Sequence, residues 1–275
     1  MSQQHYLSRC TSIITKTKHI YRIRSEIMEL IQSMLSTSIY LNIWWVVGIA
    51  VLYIVIHQSQ QFFPPMRYLD IYMNYIPVLT HEFGHVLFNR ISGGRAEDFV
   101  IVASPSERYE TGQQGFAITR SNNRLAEAVT TIGGYVMPPL MLYIGFITIN
   151  YQYPSLFLVA YLLIFLYFLI ITSRKLIPVV IVIVIAVLLY FLFQHDVTLM
   201  ISQIVSVLYH FILGVLLGEV LLSSWVISLL TLTKQSDTWD GSTLREQTHL
   251  PTALFSLIWI ALNLYTVYTI FFTLN

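Results

Sequence analysis

Long apolar runs separated by short polar stretches dominate the chain. About 20 mainly apolar residues are needed to cross roughly 30 Å of hydrocarbon. Seven segments read as such spans, at residues 38–57, 69–89, 125–150, 154–172, 177–194, 198–230 and 251–273. The sixth is long enough to be strongly tilted, broken, or extended beyond the bilayer. Ahead of the first, residues 1–37 mix lysine and arginine with scattered apolar positions and lack the apolar core and small-residue cleavage site of a signal peptide. They read as a cytosolic basic arm, able to lie as an amphipathic helix on the membrane surface. Between the second and third runs, residues 99–103 and 115–119 are short β-prone stretches flanking polar, glycine-containing sequence, which is the pattern of a hairpin. The expected fold is an all-α polytopic membrane protein of about seven transmembrane helices, with a small β-hairpin after the second, and residues 38–275 as the transmembrane domain.

Composition agrees with this pattern, since 56% of residues are apolar and only 11% charged, against about 25% charged in ordinary soluble domains. The net charge of +1 gives no basic face for nucleic acid, so the partners implied are the lipid bilayer and whatever lies within it. Cys10 is the single cysteine and cannot form an internal disulfide. Cytosolic loops carry the excess of lysine and arginine. With a cytosolic N-terminus and seven spans, every basic residue except Arg67 falls on the cytosolic side, including Arg90, Arg95, Arg108, Arg120, Arg124, Arg174 and Arg245. That count puts the C-terminus outside.

The second run contains His81, Glu82, Phe83, Gly84 and His85, an HExxH sequence. On a helix, residues four apart share a face, so both imidazoles can reach one Zn2+ while Glu82 addresses a water on it. Zinc lowers the pKa of such a water towards about 7, and a neighbouring carboxylate can take its proton and return it to a leaving amine. Ionisable groups at this depth are costly unless they face a cavity, a partner or an ion. The spacing therefore supplies two candidate ligands and a candidate base, all near the cytosolic end of the span. A catalytic zinc takes a third protein ligand and leaves the fourth position open. The polar segment before the last run offers two candidates, Asp237 and Asp240.

These residues resemble the site-2 protease family of intramembrane zinc metalloproteases. HEFGH, the Gly93-Gly94 turn, the Gly133-Gly134-Tyr135 stretch opening the third run and an aspartate-containing segment before the last recur in that family's order. The chain is similar to the compact branch without a PDZ domain, whose late segment has Asp followed eight residues on by Thr and eleven on by Pro. Asp240, Thr248 and Pro251 fit that register and Asp237 does not, so the resemblance implies Asp240 as the third ligand. Gly241 directly after it is expected to let the backbone turn sharply at the membrane entry. The resemblance further implies that residues 38–275 form a transmembrane metalloprotease domain acting on membrane-protein or membrane-peptide substrates. It also implies that a strand of the hairpin pairs with the unwound substrate.

Other polar residues in the apolar runs have structural readings. Glu219 lies near Gly214 and Gly218, whose spacing suits close helix contact; a carboxylate buried there is a functional candidate by default, outweighed by a structural role, and His210 shares that run and can pair with a polar neighbour. A zinc-protease class resembling Ste24 takes its third ligand from a later glutamate with a nearby acid, whereas Glu219 is followed four residues on by Ser223. A different class altogether, a zinc-binding transporter or non-catalytic scaffold, would close its metal with a fourth protein ligand, and His249 is the nearby candidate.

Overall fold

The computed structural model describes residues 39–192, 199–233 and 239–272. The arm at 1–37 and Cys10 lie outside these residues, as does Asp237. Each of the seven apolar runs is a helix, joined by two short helices and one hairpin. The order is α1 (Ile43–Ser59), α2 (Pro64–Ile91), β1 (Arg95–Ile101), α3 (Pro105–Thr111), β2 (Gly115–Arg120), α4 (Arg124–Asn150), α5 (Pro154–Ile171), α6 (Leu176–Leu192), α7 (Leu199–Thr233), α8 (Asp240–Thr248) and α9 (Thr252–Phe272). The long sixth run is one continuous helix. Four helices, α4, α5, α7 and α9, are long and apolar enough to cross a membrane. The other three candidates each fall short for a visible reason. α1 and α6 are apolar but only 17 residues long, while α2 has 28 residues whose hydropathy is lowered by Asp70, Asn74, His81, Glu82, His85 and Asn89.

α2 and α4 form the centre. Their backbones touch where Gly84 meets Gly133, and a Cβ on Gly84 would lie 2.7 Å from the Gly133 carbonyl carbon and 2.8 Å from Met137 Cβ. α7 packs on α1 by the same device, with Gly214 against Ile49 and Val46 and Gly218 against Tyr53 and Ala50, as its spacing predicts. His210 ties the same pair of helices. Its Nε2 accepts from Asn42 N–H at 2.9 Å and its Nδ1 lies 2.6 Å from the Ser206 carbonyl, so it caps the start of α1 from α7. α5 closes the other flank, where Tyr161 is fully buried and bonds Thr80 at 3.0 Å.

Gly93, at φ +83°, makes the turn from α2 into an antiparallel β1–β2 pair. β1 starts at Arg95, before the apolar stretch at 99–103, and takes in the charged positions Arg95, Glu97 and Asp98. Arg95 pairs opposite Arg120, whose guanidinium reaches Glu97 at 2.5 Å, and a bulge between Ala96 and Asp98 absorbs the mismatch. The hairpin then runs back along α2. Gly94 lies against Asn89, Gly115 against Val78 and Glu82, and Arg108 of α3 reaches Asp70 at 3.4 Å. At 1.5 Å per residue, Asp70 to Asn89 is roughly 28 Å of helix. The loop thus brings together residues that the charge count places on opposite sides, because Arg67 sits 6.0 Å from the ring of Tyr109. α3 also holds Arg174 through a two-pronged pair with Glu107 at 2.5 and 2.7 Å.

The α2–α4 contact generates a stability prediction. Gly84→Val should cost about 2 kcal/mol or more through overpacking against backbone and lower the unfolding temperature in detergent. Gly48→Val, at an exposed α1 position with nothing within 4 Å of its missing Cβ, should leave it within a degree or two.

Candidate metal centre

α2 presents His81 and His85 one turn apart, and α8 brings Asp240 to them. The two Nε2 atoms are 3.1 Å apart, and each lies 3.3 Å from Asp240 Oδ2. Among the described residues this is the group of histidine, cysteine and acidic side chains able to hold a metal ion. The triangle fits zinc, because bonds of about 2.0–2.2 Å in a tetrahedron place neighbouring donors roughly 3.3–3.6 Å apart. The tautomer fits too. His85 Nδ1 lies 2.9 Å from the Thr130 carbonyl, so it carries the proton and leaves Nε2 as a lone pair aimed at the site. Thr130 is itself fixed, its hydroxyl donating to the Ala126 carbonyl at 2.8 Å and receiving Asn89 Nδ2 at 3.2 Å. A cation held between them would satisfy the converging lone pairs of an imidazole and a carboxylate.

Burial works against ionising Asp240; with no ion bound, protonated imidazoles facing it would outweigh burial and hold the carboxyl well below the usual carboxylate range. Glu82 is buried on the neighbouring face of α2, under β2, and accepts a hydrogen bond from the Ala117 backbone. The base candidate is therefore oriented by the hairpin, while the metal-binding candidates are oriented by α4 and α8.

Asp240 is the first residue of α8, which starts where the Ser242 hydroxyl accepts from Trp239 N–H at 3.0 Å and donates to the Trp239 carbonyl at 2.7 Å. Gly241 does not make the sharp turn expected of it. It is helical and buried, and it is glycine because a Cβ there would meet the Trp239 ring at 2.6 Å. That ring belongs to an aromatic cluster that sequence reasoning did not assign to the site. Tyr135 stacks on Trp259 with centroids 4.0 Å apart, meets Trp239 at 6.4 Å, and sets its ring edge-on to His81 at 5.1 Å. The Gly133-Gly134-Tyr135 stretch held the signal. Gly133 admits the α2 backbone, Gly134 leaves room for both imidazoles, with His81 Cε1 2.9 Å from where its Cβ would be, and Tyr135 anchors α8.

His249 is not part of this group. It ends α8 at φ 61° as a left-handed cap, at the far end of the helix from Asp240. Beside His81 a cavity of about 200 Å³ opens between α4, α7 and α9, with Gln114, Tyr135, Glu219, Ser223 and Asn263 among its lining residues.

The sequence model of the family described as Peptidase M50B-like matches residues 43–270. No curated protein and no solved structure matches the chain.

Proposed function

The chain belongs to the Peptidase M50B-like family, and from that premise we propose that it is an intramembrane zinc metalloprotease that hydrolyses peptide bonds of membrane-embedded proteins or peptides. The observation that carries this reading is the convergence of His81, His85 and Asp240 at 3.1–3.3 Å, with Glu82 beside them. These three residues would hold the ion, and a set of three leaves a position for water, as in catalytic rather than structural zinc sites. Zinc bound there would supply Lewis acidity and make the attacking water acidic. Glu82 takes the proton of that water and hands it to the nitrogen of the leaving amine, so one water is consumed per peptide bond broken. Its bond from Ala117 fixes one carboxylate oxygen and leaves the other for the proton. His85 is kept in the ligating tautomer by Thr130, and Asp240 is kept in place by the Tyr135–Trp239–Trp259 cluster. This division of labour lets β2 position the base without disturbing the metal-binding atoms.

In this reading all seven apolar helices cross the bilayer, residues 1–37 form a cytosolic arm and residues 38–275 the protease domain. The N-terminus and the metal centre face the cytosol and the C-terminus lies outside. The positive charges other than Arg67 and Arg108, which line one pocket, carry that orientation.

Glu82→Gln should retain one zinc per chain and lower cleavage about a hundredfold or more. The check is a comparison of membrane-protein fragments in cells carrying wild type or the variant, with metal analysis of both purified proteins. Fragments that persist unchanged would sink the enzymatic reading. Asp240→Ala should lose zinc affinity by more than the roughly tenfold to hundredfold typical of a lost outer partner, whereas Asp237→Ala should keep most of it. Equilibrium dialysis with Zn2+ distinguishes the two, and the reverse ranking would move the third ligand to Asp237. With Cys10→Ser as background, a membrane-impermeant maleimide applied to intact cells should label Asn275→Cys and spare Ser2→Cys; labelling of the latter would overturn the orientation.

A further inference from the structure

Beside the metal centre, α1, α2 and α7 share a second polar cluster that the proposed chemistry does not use, in which Tyr53, Asp70 and Asn74 are buried and His57 and Glu219 are partly exposed. Tyr53 on α1 has one hydroxyl proton and two oxygen neighbours, Asn74 Oδ1 and, at 2.5 Å, Glu219 Oε2. The Asn74 amide can be oriented from its surroundings. Its Nδ2 lies 3.0 Å from Asp70 Oδ1, and Asp70 is an acceptor because His57 Nδ1 at 2.8 Å and the Arg108 guanidinium at 3.4 Å both face it. Turning the amide over would set its oxygen against that carboxylate. Asn74 Oδ1 therefore faces Tyr53 and receives the tyrosine's only proton. The contact between Tyr53 Oη and Glu219 Oε2 then needs a proton of its own, and an ionised carboxylate has none to give.

The ionisable groups that interact with Glu219 are Tyr53 and His57 on α1 and Tyr135 on α4, and His81 of α2 lines the same cavity. His57 is turned to Asp70 and His81 to Asp240, and among the described residues none forms an ion pair with Glu219. Glu219 lines the cavity beside His81. A peptide opened out of its helix brings unpaired N–H groups into that cavity, where Glu219, with Gln114, Ser223 and Asn263, is among the side chains able to accept from them. We infer that Glu219 is a protonated acid that donates Oε2–H to Tyr53 and offers its carbonyl oxygen Oε1 to the backbone N–H groups of an unwound substrate, which makes it a substrate-binding residue. The substrate half rests on the proteolytic reading above, and the proton does not.

The test uses the full chain in lipid. The infrared difference between wild type and Glu219→Gln should contain the C=O stretch of a carboxylic acid on the wild-type side; a difference showing only carboxylate bands overturns the proposal. On the fragments defined by the Glu82 comparison, Glu219→Leu should raise KM about tenfold and leave kcat within a few-fold. Glu219→Gln, which keeps both a donor to Tyr53 and a carbonyl for the cavity, should recover most of that loss. A glutamine variant as impaired as the leucine one overturns the neutral-acid assignment, and a leucine variant impaired in kcat alone overturns the binding role. If Glu82→Gln leaves all fragments unchanged, the proteolytic reading fails and takes the substrate half with it, while the infrared comparison still decides the proton.

Discussion

Three electron-rich atoms, two from one turn of α2 and one from the start of α8, are held just over 3 Å apart among apolar helices. Only close approach of α2 and α4 makes this possible. With any side chain at Gly84 or Gly133 the backbones would separate, and with one at Gly134 the imidazoles would have to turn away. Around that contact the other elements take their places. α4 supplies the Thr130 carbonyl that sets the His85 tautomer, and Tyr135 draws α8 in through Trp239. The hairpin lies along α2 with its second strand over Glu82.

Several buried polar groups in this molecule are answered from a different element. Asn89 is fully buried and bonds Ser121 and Thr130, His210 caps α1 from α7, and Asn263 of α9 bonds Ser224 of α7 at 2.9 Å. In hydrocarbon an unanswered donor or acceptor has no water to turn to, so these bonds fix how the helices pack. The Tyr53 cluster follows the same rule, and the proton assigned to Glu219 follows from it, since the contacts can be satisfied only if the donors and acceptors balance.

The short helices α3 and α8 have a shared mechanical character. Each is polar, each sits beside longer apolar helices, and each is anchored by its side chains. α3 gathers Arg67, Asp70 and Arg174 around Arg108, Tyr109 and Glu107, which keeps the hairpin along α2. α8 is anchored by aromatic rings on one side and by Asp240 on the other.

The order and approximate limits of the seven apolar helices were legible from hydropathy, because a long apolar run is a local property. The pairing of His81 with His85 was legible for a similar reason, since four residues on a helix is a fixed geometry. The register of Asp240 with Thr248 and Pro251 pointed to the aspartate that the fold brings to those histidines. What the sequence left open depends on contacts between distant segments. Gly241 read as a turn but serves as space for Trp239, because its neighbour's ring folds back over it. Arg67 and Arg108 were separated by charge counting, which treats loops as lying at one membrane face, whereas the hairpin runs some 28 Å along α2. Tyr135 and the Tyr53–Asn74–Glu219 cluster leave no periodic trace at all. Their roles come from which side chains meet when helices cross, and only the tertiary structure decides that.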